Sequence, residues 1–270
     1  MARESVTANM IPYPPIDPVA LQLGPLALRW YGIAYLLGFL AAYAILKRAA
    51  SRGHAPLTPE DAGDLFSILV AGVIIGGRLG YMLFYNLPYF LQHPLHVFAV
   101  WEGGMSFHGG LAGVAVGAWL FSRKRKKPLL GIGDALALAT PPGLFFGRIA
   151  NFINGELYGR PSGVPWAMVF PGAGPLPRHP SQLYEALLEG FLLWLVVWGA
   201  GRFRQASTGI RTGAFVCGYG LIRFFVEFTR QPDLQLGLVL GPFSMGQVLS
   251  AGMVLVGAAI LWVAKSDRSP

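Results

Sequence analysis

Phe243-Ser244-Met245-Gly246-Gln247-Val248-Leu249-Ser250-Ala251-Gly252-Met253-Val254-Leu255-Val256-Gly257-Ala258-Ala259-Ile260-Leu261-Trp262-Val263-Ala264 contains no charged side chain. About 20 mostly apolar residues carry a helix across the hydrocarbon core of a bilayer. This run is long enough to span. Working back along the chain, the same criterion selects six more segments, roughly 28–46, 63–85, 104–122, 132–152, 183–200 and 212–230. The expected fold class is therefore an all-α polytopic membrane protein with seven transmembrane helices, built as a single integral membrane domain over residues 1–270. Composition agrees with this reading. Hydrophobic residues make up 54% of the chain, charged residues only 13%, and the mean hydropathy is +0.50. That charged share is about half of what soluble domains carry.

A single cysteine, Cys217, excludes a disulfide framework or a thiolate metal site within one chain. The net charge of +8 does not point to nucleic acid, because the basic residues sit in short loops between spans rather than on one soluble face with aromatics between them. The proline-rich first 27 residues hold no apolar run of signal-peptide length and read as an extended segment without a cleavable signal. Met10, opening Met10-Ile11-Pro12-Tyr13-Pro14, is a candidate start, with the preceding residues an upstream extension.

Lys and Arg alternate between loops. The N-terminal tail and the second, fourth and sixth loops carry one, none, two and one; the first, third and fifth loops and the C-terminus carry three, five, three and two. Basic loops stay in the cytoplasm. This predicts an N-terminus outside, a C-terminus inside, and an extracytoplasmic loop or small cap over about residues 153–182, between the fourth and fifth spans. The four remaining basic residues, Arg29, Arg78, Arg148 and Arg223, lie within or at the edge of spans, where charge costs several kcal/mol.

In that topology the outer ends of the helices collect polar residues: Tyr31, Arg78, Glu102 and His108, Arg148 with Asn151, Gln182 with Tyr184 and Glu185, and Arg223 with Glu227 and Arg230. Tyr219, Arg223, Glu227 and Arg230 are spaced by four, four and three, so they fall on one helix face. The plain structural reading is an Arg223–Glu227 ion pair that neutralises buried charge. Arg148 has no acid four residues away and favours an external anion, with Glu185 or Glu156 as possible partners from elsewhere. Gly77-Arg78-Leu79-Gly80 and Gly147-Arg148-Ile149-Ala150 echo each other too briefly to define a repeat.

His108 follows Gly103-Gly104-Met105-Ser106-Phe107, where glycines let the backbone bend or a ligand approach. Ser106 lacks the closing glycine and the strand–turn–helix context of a hydrolase nucleophile. Pro141-Pro142-Gly143 predicts a kink or local unwinding about one turn before Arg148. The run Arg123-Lys124-Arg125-Lys126-Lys127 reads as a topology anchor.

Gly147-Arg148-Ile149-Ala150-Asn151-Phe152-Ile153-Asn154-Gly155-Glu156-Leu157-Tyr158-Gly159 resembles the signature of the prolipoprotein diacylglyceryl transferase family. Arg29-Trp30-Tyr31-Gly32, Phe107-His108-Gly109-Gly110, His179-Pro180-Ser181-Gln182-Leu183-Tyr184-Glu185, Tyr219-Gly220-Leu221-Ile222-Arg223 and Arg230-Gln231-Pro232-Asp233 also resemble that family, in order. The resemblance runs from about Met10 to the last span. It implies a bacterial inner-membrane enzyme with phosphatidylglycerol as donor, the lipobox cysteine of a prolipoprotein signal peptide as acceptor, and glycerol-1-phosphate as the released product. It implies neither metal nor organic cofactor. By motif position the implied site residues are Tyr31, His108, Arg148, Asn151, Glu156, Gly159, Tyr219, Arg223 and Glu227. His108 fits a base for the thiol, and Arg148 and Arg223 fit stabilisers of the departing phosphate, because a guanidinium fork donates two parallel hydrogen bonds. The alternative from the same residues is a lipid or anion transporter with an arginine-lined outer-leaflet cavity.

Overall fold

The computed structural model describes residues 11–202, 207–231 and 238–266. Met10 as a start and the Pro232-Asp233 motif residues lie outside them. All seven apolar segments are helical: α1 Trp30–Ser51, α2 Pro59–Tyr85, a short α3 Leu87–Gln92 in the loop after it, α4 Phe107–Arg125, α5 Leu129–Ile153, α6 Ser181–Ala200, α7 Ile210–Val226 and α8 Met245–Ser266. Five of these, α1, α2, α5, α6 and α8, are long and apolar enough to cross a membrane. α4 ends in Arg123, Lys124 and Arg125, and α7 has 17 residues, including Arg211 and Arg223, so both fall short on that measure.

The solvent pattern is inverted relative to a water-soluble fold. Leu255 and Trp262 are 73% and 76% exposed while Gln182, Glu185 and Glu189 are fully buried. In water, such an arrangement would expose apolar surface and desolvate charge at the same time; in lipid it does neither needlessly. The apolar faces meet acyl chains and the polar groups meet each other.

The fold differs locally from the sequence expectation at three places. The chain before α1 is a hairpin, β1 Val19–Leu23 paired with β2 Leu26–Arg29, rather than an unpaired extended segment. Gly24, with φ of 58°, supplies the left-handed turn, so the first span begins at Trp30 and not at Leu28. α5 runs unbroken through Pro141 and Pro142, so no unwinding occurs. α6 contains a π-helical stretch, Ala186–Leu192, which has no sequence signature and widens the helix by one residue per turn.

The described chain divides into two compact units, one holding the chain up to Ala42 together with the chain from Leu136 onward, the other Tyr43–Ala135. In the second unit α2 and α4 run antiparallel with almost no side chain between them. A Cβ at Gly80 would lie 2.8 Å from the Gly109 Cα, and one at Gly76 2.9 Å from the Gly113 Cα. Gly72, Gly76 and Gly80 thus face Gly109 and Gly113, the small-residue contact by which helices associate in lipid. At the far end of this pair the Thr58 side chain caps α2 together with Asp61, and Arg125 and Lys127 approach Asp61 at 3.7 and 3.4 Å. In the first unit α7 and α8 pack by the same device: a Cβ at Gly220 would lie 2.8 Å from the Ser250 carbonyl oxygen.

Candidate active site

Arg148 stands on the last turns of α5, and Arg223 on the last turn of α7. Between them stands α6, whose Glu185 and Glu189 are one turn apart and wholly buried. Arg148 Nη2 lies 2.8 Å from Glu185 Oε2 and 3.6 Å from Glu189 Oε2. Arg223 Nη1 lies 3.0 Å from the same Glu185 oxygen and 3.5 Å from Glu189 Oε1, while its Nη2 meets Glu227 at 2.9 Å. Arg230 closes the group at 2.6 Å from Glu185 and 3.5 Å from Glu227. Three guanidinium groups and three carboxylates therefore form one network, and removing one partner from such a buried network strands the others at a cost of about 3–5 kcal/mol.

This network enlarges the expected Arg223–Glu227 pair. Arg223 and Glu227 do meet, and of the two candidate partners for Arg148 it is Glu185 that lies against it. Arg230 does not continue the helix face, since α7 ends at Val226. Beyond it the amides of Phe228, Thr229 and Arg230 bond three residues back, and the Thr229 hydroxyl takes the Val226 carbonyl at 2.8 Å. The turn still returns Arg230 to the cluster. Glu227 is fixed further by the Ser244 hydroxyl, which donates to it at 2.9 Å. Glu189 is the site residue that sequence reasoning misses. Its signal is a carboxylate four residues after Glu185 in an otherwise apolar helix.

The signature segment after α5 folds back beside this cluster. Asn151 Nδ2 donates to Glu156 Oε1 at 2.9 Å, Gln182 Nε2 to the Glu156 carbonyl at 2.6 Å, and the Ser181 hydroxyl to the Leu157 carbonyl at 3.1 Å. Gly159 is required by close approach: a Cβ there would sit 2.8 Å from the His179 Cβ and carbonyl oxygen. Its amide donates to that carbonyl, and it bridges antiparallel to Arg230. Tyr31 lies near enough to Arg148 and Glu156, and Tyr219 to Arg148, Arg223, Glu185 and Glu189, for their charges to act on the two phenols. Eight of the nine expected site residues thus belong to the first unit; Glu227 pairs with Arg223, Asn151 with Glu156, and Gly159 bridges to Arg230 of the same cluster.

Residues 154–180 contain no helix or paired strand of their own, only turns and isolated bridges, and their core is aromatic. Phe152, Met168 and Phe170 pack with Tyr13 and Tyr158, and the Tyr13 hydroxyl donates to the Phe152 carbonyl at 2.6 Å. At the other end Trp166 Nε1 donates to the Tyr184 hydroxyl at 2.5 Å, and His179 Nδ1 lies 3.2 Å from the same oxygen. Burial holds His179 below the ordinary imidazole range, which keeps it a neutral partner in that contact.

The ninth residue, His108, lies in the second unit, on the first turn of α4, with its ring exposed and edge-on to Phe107 at 5.6 Å. The glycines before it do bend the chain: Gly103 and Gly104 have φ of 84° and 74°. Their carbonyls accept from Arg78 Nη1 at 2.5 and 3.2 Å, while Arg78 Nε donates to the Val97 carbonyl at 3.0 Å and Nη2 to that of His96. Arg78 is therefore a clasp for the α2–α4 loop, unlike Arg148, and the short echo between their sequences marks no shared role. Ser106 caps α4 by accepting from the Gly109 amide at 3.2 Å, an assignment that uses its hydroxyl structurally. Among the described residues, no group of three or more His, Cys, Asp or Glu side chains is arranged to hold a metal ion.

A family model of prolipoprotein diacylglyceryl transferases matches residues 18–263. The chain belongs to the prolipoprotein diacylglyceryl transferase family. It is 56% identical to the phosphatidylglycerol–prolipoprotein diacylglyceryl transferase of Geobacter sulfurreducens, over 91% of this chain and 94% of that one. It is 52% identical to the protein of that name from Oleidesulfovibrio alaskensis, over 96% and 97%, and 53% identical to the one from Bordetella parapertussis, over 93% and 96%. Family membership bears out the resemblance read from the motifs, and Arg148 of the buried cluster belongs to the longest of them.

Proposed function

We propose that this membrane transferase moves the diacylglyceryl group of phosphatidylglycerol onto the lipobox cysteine of a prolipoprotein signal peptide. The bond formed is a thioether between the cysteine sulfur and the glyceryl carbon. The bond broken joins that carbon to the phosphate oxygen, so glycerol-1-phosphate leaves. The observation that carries this reading is the Arg148–Arg223 pair held by buried glutamates in a chain half identical, over nearly its whole length, to enzymes carrying that activity in their names. Nothing favours the transporter alternative. Purified protein incubated with labelled phosphatidylglycerol and a lipobox peptide should yield a thioether lipopeptide, and a failure to yield one would refute the reading.

In this mechanism Arg148 and Arg223 bind the headgroup phosphate and stabilise the charge that gathers on it as the carbon–oxygen bond breaks. Arg148 is the more open of the two, because among the described residues its ion pairs run through Nη2 alone. Asn151, Glu156, Gly159, Tyr31 and Tyr219 shape the lipid-binding wall, and Glu227 holds Arg223 in register. His108 takes the proton from the thiol. No cofactor enters these steps.

The site belongs to the periplasmic leaflet of a seven-span inner-membrane protein, with residues 153–182 as an extracytoplasmic loop. Thirteen basic residues fall in the loops assigned to the cytoplasm against four in the others. In the second unit the basic end of α4 lies beside the start of α2, as two ends on one membrane side require. A phosphatase reporter that is active only in the periplasm should stay inactive when fused after Pro270. Strong activity would invert the topology and remove the site from the outer leaflet.

A further inference from the structure

Glu227 meets arginines with one oxygen and the start of α8 with the other. Its Oε2 lies 2.9 Å from Arg223 Nη2 and 3.5 Å from Arg230 Nε. Against its Oε1 stands Ser244-Met245-Gly246-Gln247. The Ser244 hydroxyl accepts from the Gln247 amide at 3.3 Å while Gln247 Oε1 accepts from the Ser244 amide at 3.0 Å, the reciprocal capping box that starts a helix. The hydroxyl proton remains, and it goes to Glu227 Oε1 at 2.9 Å. One buried oxygen thus caps α8 and holds the carboxylate. Gln247 Nε2 donates to the Phe224 carbonyl at 3.5 Å, tying the same turn to the last turn of α7. Gly246 completes the contact. Its backbone is helical rather than left-handed, so no turn demands a glycine there, and helices favour alanine. Space demands it instead: a Cβ would lie 2.7 Å from Glu227 Oε1 and 2.9 Å from its Cδ.

We propose that Ser244 and Gly246 are positioning residues for the transfer reaction: the start of α8 is a backstop that fixes the Glu227 carboxylate and, through it, the guanidinium plane of Arg223. Arg223 is held at two points, Nη1 by Glu185 and Glu189 of α6 and Nη2 by Glu227. A planar group held at both nitrogens cannot turn about its stem. The α6 contact comes from buried side chains on one helix, whereas the Glu227 contact depends on a side chain that α8 must keep in place. A carboxylate free to swing would carry Arg223 Nη2 with it or let it go, and a misplacement of about 1 Å at a reacting group can cost about 10²-fold in rate. Neither Ser244 nor Gly246 needs to touch the lipid to have this effect. The inference rests on the proposed contact of Arg223 with the headgroup phosphate.

Single-turnover transfer by the purified full-length protein, with labelled phosphatidylglycerol and a lipobox peptide, separates positioning from folding. A misfolded fraction lowers the amplitude of the turnover, whereas a displaced arginine lowers its rate constant. The rate constant should fall about tenfold or more in Ser244→Ala and in Gly246→Ala, and stay within about twofold of the parent in Ser244→Thr, which keeps the hydroxyl. Rate constants near the parental value in both alanine variants overturn the proposal, and a threonine variant as slow as Ser244→Ala removes the hydroxyl from it. Thermal unfolding supplies an arm that needs no substrate. Gly246→Ala should lower the unfolding temperature of the parent, because the added methyl drives Glu227 from its arginines. In Glu227→Asp, whose carboxylate is withdrawn by one methylene, the same change should leave the unfolding temperature unaltered or raise it, since alanine then helps the helix. A fall in both backgrounds would mean that the methyl acts on something other than Glu227, and the proposal would be lost. If the unfolding pattern holds but the parent transfers no lipid, the substrate reading fails and the positioning role with it, and only the contact between Glu227 and α8 stands.

Discussion

Arg148→Lys and Arg223→Lys should each lose roughly 10²–10³-fold in transfer rate, the cost of removing one preorganised donor from a developing oxyanion. Charge is preserved in both variants, so the loss isolates geometry. A lysine ammonium offers a compact point charge, whereas the guanidinium fork can hold Glu185 with one nitrogen and a phosphate oxygen with another. The two variants should differ in stability. Arg148 meets two carboxylates through one nitrogen, and a lysine can reproduce most of that contact. Arg223 ties Glu185, Glu189 and Glu227 together through two nitrogens, so its replacement also loosens α6 from α7. Rates should be measured alongside thermal unfolding in the same detergent: Arg148→Lys should unfold near the parental temperature, Arg223→Lys clearly below it. Near-parental turnover in both would show that charge balance suffices and would remove the headgroup clamp.

Much of this site was legible in the sequence because lipid makes polar residues conspicuous. Arg148 and Arg223 stand out in apolar runs, and a charge at that depth demands a partner. The sequence offered Glu227 to Arg223 and either Glu185 or Glu156 to Arg148, but it could not disclose the whole set of partners. Glu185 was visible at an outer helix end, but Glu189 lies a turn deeper among leucines and phenylalanine, and only the packing of α6 between α5 and α7 shows that one carboxylate serves three arginines. The π-helical stretch is equally silent, since its residues, Ala186–Leu192, would suit an α-helix as well. The glycine contact between α2 and α4 is a different case. Gly72, Gly76 and Gly80, and Gly109, Gly113 and Gly117, recur every fourth residue, and that spacing was readable. Attention to Arg78 within Gly77-Arg78-Leu79-Gly80 draws the eye to charge instead of to the small residues beside it. The β1–β2 hairpin is hidden for a simpler reason: Leu26, Ala27 and Leu28 are as apolar as the span they precede, and the strands are only five and four residues long.

His108→Gln should transfer the diacylglyceryl group about 10²–10⁴-fold more slowly than the parent while binding phosphatidylglycerol equally well. Glutamine keeps the approximate size and a hydrogen-bonding end but cannot take a proton from a thiol. The ring of His108 is exposed on the first turn of α4, in a segment whose shape is fixed by Arg78 and the two left-handed glycines rather than by the histidine itself. Its substitution should therefore leave the fold of that segment undisturbed. The pH dependence separates a base from a bystander. A free cysteine thiol ionises near pH 8.5, so the fraction of acceptor peptide already present as thiolate rises about tenfold per unit up to that value. An enzyme that lacks its base gains from this rise, whereas one that has it gains less. The rate ratio of parent to His108→Gln should accordingly shrink as the pH is raised from about 6 to about 9, measured with saturating phosphatidylglycerol and limiting peptide. A deficit that stays constant across that range would make His108 a binding or positioning residue. Equal rates throughout would take it out of the reaction, and a lipid phosphate oxygen or a water molecule would then receive the thiol proton.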